Sequence, residues 1–202
     1  MAEEKKRKLK VLCLHGSGTN KEFINFLQMS MSCLRTLCEW HYMDGIVEAD
    51  PFPSIKPFLK LIKQDTFFSW LKKSEDGTKY TGFDEACEAA ITEAKRLDAD
   101  LLLGFSQGSI VASLVGQQLF SDGKLKGVIS VCGVDPKRDG DKLTLPSFHI
   151  IGKTDSLRER SIKLYDTFSG TKELVEHEAG HKFPSSKETD IAKKLKKFLD
   201  GL

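Results

Sequence analysis

Gly104-Phe105-Ser106-Gln107-Gly108 sets a serine midway between two glycines. A chain needs this spacing to turn sharply from a strand into a helix while thrusting the hydroxyl outward. Composition alone produces such a pattern in roughly one chain in fifteen of this length, so its weight comes from its surroundings. Leu101 to Leu103 reads as a short apolar strand before it, and a helix is expected from Gln107 to Phe120, with Ile110, Val111, Leu114 and Val115 at helical spacing. A serine hydroxyl is a weak nucleophile at neutral pH. It needs an imidazole to take its proton and a carboxylate to orient that imidazole, and after an elbow of this kind the two partners follow in the order acid, then histidine.

Asp155 follows the apolar run Phe148-His149-Ile150-Ile151 in Gly152-Lys153-Thr154-Asp155, which puts a carboxylate at the carboxyl end of a strand. Five histidines compete for the base. His15 and His41 precede the serine, while His149 and His177 fall inside predicted strands, where a packed, hydrogen-bonded histidine is expected. His181, in Ala179-Gly180-His181-Lys182-Phe183-Pro184, stands in a loop after the last strand and supplies what the serine lacks. A tetrahedral intermediate also needs two backbone N–H donors. The amide after the serine, Gln107, is one, and Ser17 in the small-residue turn His15-Gly16-Ser17-Gly18 is the other. Phe52, Phe58, Phe67, Phe68 and Trp70 cluster before the elbow, where each suits the roof of an acyl pocket and packing in the core or a helix equally well. Of these, Phe52, Phe68 and Trp70, together with His15, are the expected substrate-binding side chains. No metal site is expected.

Elements of the right type and order must hold these residues. Leu9 to Leu14 is a first buried strand, and a helix is expected from Lys21 to Leu37. A strand is expected around Trp40 to Val47, then a break at Pro51, Pro53 and Pro57, then an amphipathic stretch near Phe58 to Leu71. Helical spacing recurs from Phe83 to Leu97. Strands are expected at Gly127 to Cys132, Ser147 to Ile151 and Glu173 to His177, with a helix between the last two and another from Glu188 to Leu199. This alternation predicts an α/β-hydrolase fold, a mostly parallel sheet of about six strands with helices on both faces and ligands at the strands' carboxyl ends.

The 202 residues suit one domain, with residues 1–8 expected to form a flexible basic tail. Lys and Arg number 31 against 29 Asp and Glu, a net charge of +2 that does not favour nucleic acid as a partner. The lysines from Lys193 to Lys197 read as a solvated helix face. No apolar run reaches the roughly 20 residues of a membrane span, and the first ten residues lack the apolar stretch of a secretory signal, so a cytoplasmic protein is expected. Five cysteines at irregular spacing fit reduced thiols, with Cys13 and Cys132 packed in the core.

Read in order, Leu14-His15-Gly16, Phe68-Ser69-Trp70, the Gly104 to Gly108 elbow, Leu145-Pro146-Ser147-Phe148-His149-Ile150-Ile151-Gly152-Lys153-Thr154-Asp155 and Gly180-His181-Lys182-Phe183-Pro184 resemble the fungal-type serine hydrolase (FSH) family over nearly the whole chain. Two places depart from its wording: Ala179 stands where a second glycine is usual, and the approach to the elbow is rich in leucine. The resemblance implies a compact hydrolase core, a triad of Ser106, Asp155 and His181, no cofactor, and action on carboxylic esters with acyl or alkyl chains. The same elbow wording occurs in acyl-protein thioesterases, which makes thioester cleavage the nearest alternative. A non-catalytic binding module on the same scaffold is a second.

Overall fold

A computed structural model describes residues 7–29, 35–61, 65–137 and 142–202. Six strands form one sheet: β1 (Leu9–Leu14), β2 (Cys38–Met43), β7 (Leu101–Phe105), β8 (Gly127–Val131), β9 (Ser147–Gly152) and β10 (Lys172–His177). Their spatial order is β10-β9-β8-β7-β1-β2, and every pairing is parallel. All six carboxyl ends therefore open on one edge of the molecule, where a parallel sheet collects its functional loops.

Alternation along the strands divides the interior in two. Leu12, Leu14, Leu102 and Val128 face one layer of helices, α2 (Phe83–Leu97), α3 (Gly108–Ser121) and α4 (Arg158–Thr167), whose Ala86, Ala90, Val111, Val115 and Leu164 complete that core. Val11, Cys13, Leu103, Ile129 and Ile150 face the opposite layer, α1 (Lys21–Met29) and α5 (Thr189–Asp200), which contribute Ile24, Ile191 and Leu195. With both faces covered, the central strands β7 and β8 are buried at every position, so they read in sequence as apolar runs interrupted only by Ser130.

The segment between β2 and α2 departs from expectation. Proline at three nearby positions favours a tight turn over an α-helix, and Pro53–Leu61 forms a 3₁₀ helix with Pro57 inside it. The amphipathic stretch expected near Phe58 to Leu71 is not one element: residues 62–64 lie outside the described residues, and the chain continues at Asp65 without helix. Phe67–Ser69 is instead a strand, β4, paired antiparallel with β3 (Val47–Ala49), and β5 (Lys72–Lys73) pairs with β6 (Tyr80–Thr81). The single strand expected from Trp40 to Val47 is two, broken near Gly45, where a β-carbon would lie 2.6 Å from the Ser69 carbonyl oxygen. Of the helix expected from Lys21 to Leu37, the first nine residues are α1, Leu37 lies in a turn, and residues 30–34 lie outside the described residues.

Residues 1–6 of the expected tail, and Cys33, also lie outside the described residues. Arg7 is docked rather than free: its guanidinium grips the buried Asp100 carboxylate through bonds of 2.7 and 2.9 Å, and the Lys10 amide donates to the same group. Burial would raise that carboxyl, but these donors outweigh it and hold it below the usual range. Among the described residues, Cys13, Cys38, Cys87 and Cys132 form no disulfide. Among the described residues no helix is long and apolar enough to cross a membrane.

Candidate active site

The elbow at the end of β7 is built by what its glycines lack. A β-carbon on Gly104 would lie 2.3 Å from the Ser109 Cα, and one on Gly108 would lie 2.2 Å from the Leu14 carbonyl oxygen. Only hydrogen fits at either place, so the strand can fold back on its helix and pack it against β1. Between them Ser106 takes a left-handed backbone conformation, φ 52°, which costs a side-chain-bearing residue on the order of 1 kcal/mol and is held by its surroundings. Its amide donates to the Val131 carbonyl at 3.1 Å, and its carbonyl accepts from the Ser109 amide at 3.1 Å.

Asp155 and His181 are brought together from two neighbouring strands. The His181 Nδ1 and the Asp155 Oδ2 lie 2.7 Å apart, and the other carboxylate oxygen accepts the Leu157 amide at 2.8 Å. Burial alone would raise the Asp155 carboxyl, yet the bonds from His181 and Leu157 prevail and keep it below the usual carboxylate range. A carboxylate that stays ionised against an imidazole fixes that ring's tautomer and stabilises its charged form. The two loops are joined by the Lys153 amide on the His177 carbonyl, 2.8 Å, and they pass so closely that a β-carbon on Gly152 would lie 2.3 Å from the Gly180 carbonyl oxygen. The His181 ring sits 5.2 Å from that of Phe105, the neighbour of Ser106, and is about a quarter exposed.

Cys132 lies beside this pair, which the reading as mere core packing did not anticipate. Its backbone is left-handed, φ 46°, and its Sγ lies 3.4 Å from the Lys182 carbonyl oxygen. Its sulfur, an Asp155 oxygen and a His181 nitrogen all fall within 4.8 Å of one another. Burial pushes the thiol up to about 12, so a neutral thiol stands beside the Asp155–His181 bond.

On the other side of the serine, Ser17 and Gln107 occupy the ends of β1 and β7. Gly18, at φ 63°, turns the β1 loop back so that its carbonyl accepts the Phe52 amide at 2.8 Å. The Ser17 hydroxyl is 2.7 Å from that of Ser69, and the Ser69 Oγ accepts the Gly18 amide at 3.1 Å. The Gln107 side chain turns inward, accepting from the amides of Trp70 at 2.8 Å and Leu71 at 3.3 Å and donating to the Leu71 carbonyl at 3.1 Å. Nothing in the sequence marked Ser69 apart from its place in the Phe68-Ser69-Trp70 motif, because its partners lie some fifty positions away.

The residues expected to line a substrate pocket separate. His15 and Trp70 have no exposed surface. His15 accepts the Gly45 amide at Nε2, 2.8 Å, while its Nδ1 lies against Gly16 and Thr19, and the Trp70 Nε1 donates to the His15 carbonyl at 2.9 Å. Both are struts behind the site wall. Phe67 is buried with them, Phe68 is half-buried and bridged to Thr19, and Phe52 is about half exposed beside the Gly18 turn. A further apolar feature was not foreseen: a groove of about 620 Å³ runs between Phe26, Leu27 and Met29 of α1 and Ala179, Lys182 and Phe183 of the His181 loop.

His149 and His177 are packed in their strands. His149 lies edge-on against Tyr165 and Phe168, and its Nε2 is buried without a hydrogen-bond partner. Burial lowers His149 from 6.5 to about 3 and His15 to about 4. The unfolded chain therefore takes up protons first as pH falls. The stability these neutral rings contribute is whole above pH 6.5 and drains away below it, down to about pH 4 for His15 and about pH 3 for His149. We expect the melting temperature to fall steeply from pH 6.5 to pH 4, with His149 responsible for on the order of 3 kcal/mol of the loss. His149→Leu should flatten the curve of melting temperature against pH, and an unchanged slope would refute the assignment.

Known proteins resemble this chain in sequence and in fold. The family model described as serine hydrolase (FSH1) matches residues 3–192. The chain is 28% identical over 203 residues to Esterase FUS5 of Gibberella moniliformis, covering 92% of this chain and 83% of that one. It is 29% identical over 200 residues to Esterase CG5412 of Drosophila melanogaster, covering 89% and 70%. Among solved structures, a carboxylesterase from Mesorhizobium loti superposes with a TM-score of 0.66 at 16% identity over 98% of this chain and 90% of that one, a likeness of fold.

Proposed function

The chain belongs to the serine hydrolase (FSH1) family, and from that premise we propose that it cleaves carboxylic esters through an acyl-enzyme formed on Ser106. The observation that carries this reading is the 2.7 Å bond between His181 and a buried Asp155 carboxylate at the same sheet edge as a strained serine elbow. In the proposed cycle His181 takes the Ser106 proton as the hydroxyl attacks, the Ser17 and Gln107 amides receive the oxyanion, and the proton passes to the departing alcohol. Water then attacks the acyl carbonyl as it gives a proton to His181, and collapse of that second tetrahedral intermediate breaks the bond to Ser106, returns the proton to its oxygen and releases the acid. The Ser106 to His181 hydrogen bond closes in the substrate complex, as such bonds often do.

The substrate in this proposal is a small molecule with an apolar chain. Half-exposed Phe52, whose amide bonds the Gly18 turn, and the groove lined by Phe183, whose ring stacks on that of Phe105 beside Ser106, support it, because each offers apolar surface on a loop next to the site. We expect esters with medium or long chains to be cleaved faster than the acetate of the same alcohol, and a flat or inverted profile would count against the groove. The reading is tested by labelling with a fluorophosphonate and locating the adduct by peptide mass: it is expected on Ser106, and an unlabelled protein would restore the non-catalytic binding reading. Oxygen and sulfur esters of one acyl chain, compared side by side, separate an esterase from a thioesterase.

A further inference from the structure

Two distant stretches of chain supply the amides assigned above to the oxyanion, and one short segment, Ser69-Trp70-Leu71, is bonded to both. On the β1 side the Ser69 Oγ meets the Ser17 hydroxyl at 2.7 Å and accepts the Gly18 amide at 3.1 Å. On the elbow side the Gln107 carboxamide meets the amides of Trp70 and Leu71 and the Leu71 carbonyl. Trp70 adds a bond from its ring nitrogen to the His15 carbonyl, 2.9 Å, just before the Gly16-Ser17 turn. A wall built only for packing has no need to bond a hydroxyl into that turn.

We propose that Ser69 is a positioning residue for the oxyanion hole, fixing the Ser17 amide at the distance from the Gln107 amide that a tetrahedral oxyanion requires. The inference rests on the acyl-enzyme reading above. Its physical basis is that oxyanion donors act only when already placed, and a displacement of about 1 Å can cost about a hundredfold in rate. Without the Ser69 Oγ the buried Gly18 N–H loses its acceptor, and a buried donor without a partner drives the turn to shift. The paired backbone bonds between Thr19 and Phe68, 3.2 and 2.7 Å, survive that change. The loop therefore stays in register with β4 at Thr19 while the Ser17-Gly18 turn before it shifts, so the loss falls on the transition state more than on folding.

The test compares Ser69→Ala, Ser69→Thr and Ser17→Ala with the unaltered chain, with active sites counted by fluorophosphonate titration. For each, kcat and KM on one ester are measured beside the inhibition constant of a trifluoromethyl ketone of the same chain, which forms the tetrahedral oxyanion adduct. Ser69→Ala is expected to lower kcat about ten- to a hundredfold with KM changed less than about threefold, and to weaken the ketone by the same factor as kcat/KM falls. Ser69→Thr, which keeps the oxygen, should restore most of the rate, and Ser17→Ala should lose less than Ser69→Ala. If Ser69→Ala does not fold, Gln107→Met, which keeps the amide and removes the carboxamide bonds, carries the same expectation. A kcat for Ser69→Ala within about twofold of the unaltered chain, or a loss that leaves ketone affinity unchanged, would overturn the proposal while leaving the nucleophile intact. If the unaltered chain neither turns over esters nor binds the ketone, the acyl-enzyme reading fails and takes the proposal with it.

Discussion

Replacing Ser106 by alanine is expected to lower ester hydrolysis by about 10⁴-fold or more while the protein stays folded. The backbone bonds at this position, to Val131 and from Ser109, do not involve the hydroxyl, and alanine meets the same left-handed geometry as serine. The change thus removes one oxygen from the reaction and no bond from the elbow. His181→Ala should fall to a similar floor, because base and nucleophile act as a unit, and the double variant should be little worse than either alone. Steady-state rates of the purified variants, with circular dichroism and melting temperature as controls, decide it. An alanine variant that kept more than about a tenth of the rate would remove Ser106 from the mechanism.

The second large effect lies two residues on and is one of architecture. Gly108→Ala would place a carbon 2.2 Å from the carbonyl oxygen of Leu14, the last residue of β1, and 2.5 Å from that of His15, the residue just beyond it. Leu14 cannot move without straining the parallel ladder to β2 and β7, where it pairs with Met43 and Gly104. We expect a loss of about 4 kcal/mol or more, the range kept for changes that force a strained backbone or an overpacked core, together with loss of activity. Gly123→Ala is the control: its backbone is also left-handed, φ 69°, but nothing lies within 4 Å of the added carbon, so its penalty is conformational alone, about 1 kcal/mol. Thermal melts of the two variants should differ widely, and equal melts would mean that the elbow can relax.

Much of the framework was legible because burial on both faces writes itself into the chain. β7 and β8 are apolar at nearly every position, α2 carries its alanines at helical spacing, and the observed spans of β1 and α2 coincide with those read from the residues. Ser106, Asp155 and His181 could be singled out because order along the chain, position at strand ends and residue type each narrow the choice, and the fold then sets the last two in contact. The segment from Pro51 to Leu71 resisted the same treatment. Its aromatics suit an amphipathic helix as well as a short strand, and the choice is made by partners far away: Val47–Ala49 for the strand, Ser17 and Gly18 for Ser69, Gln107 for Trp70 and Leu71. Trp70 and His15 carried the types expected of pocket residues, and their burial behind the wall follows from those long-range bonds. Arg7 was hidden likewise, since its partner Asp100 comes 93 positions later.

If Ser106 is the nucleophile proposed above, its left-handed backbone sets stability and activity against each other at a single residue. Glycine would occupy that conformation almost freely, whereas serine accepts its cost so that a hydroxyl can stand outside the turn. Selection for thermal resistance alone would drift toward glycine here and end with a sturdier, inert protein. The elbow can persist in a lineage only while the reaction itself is under selection.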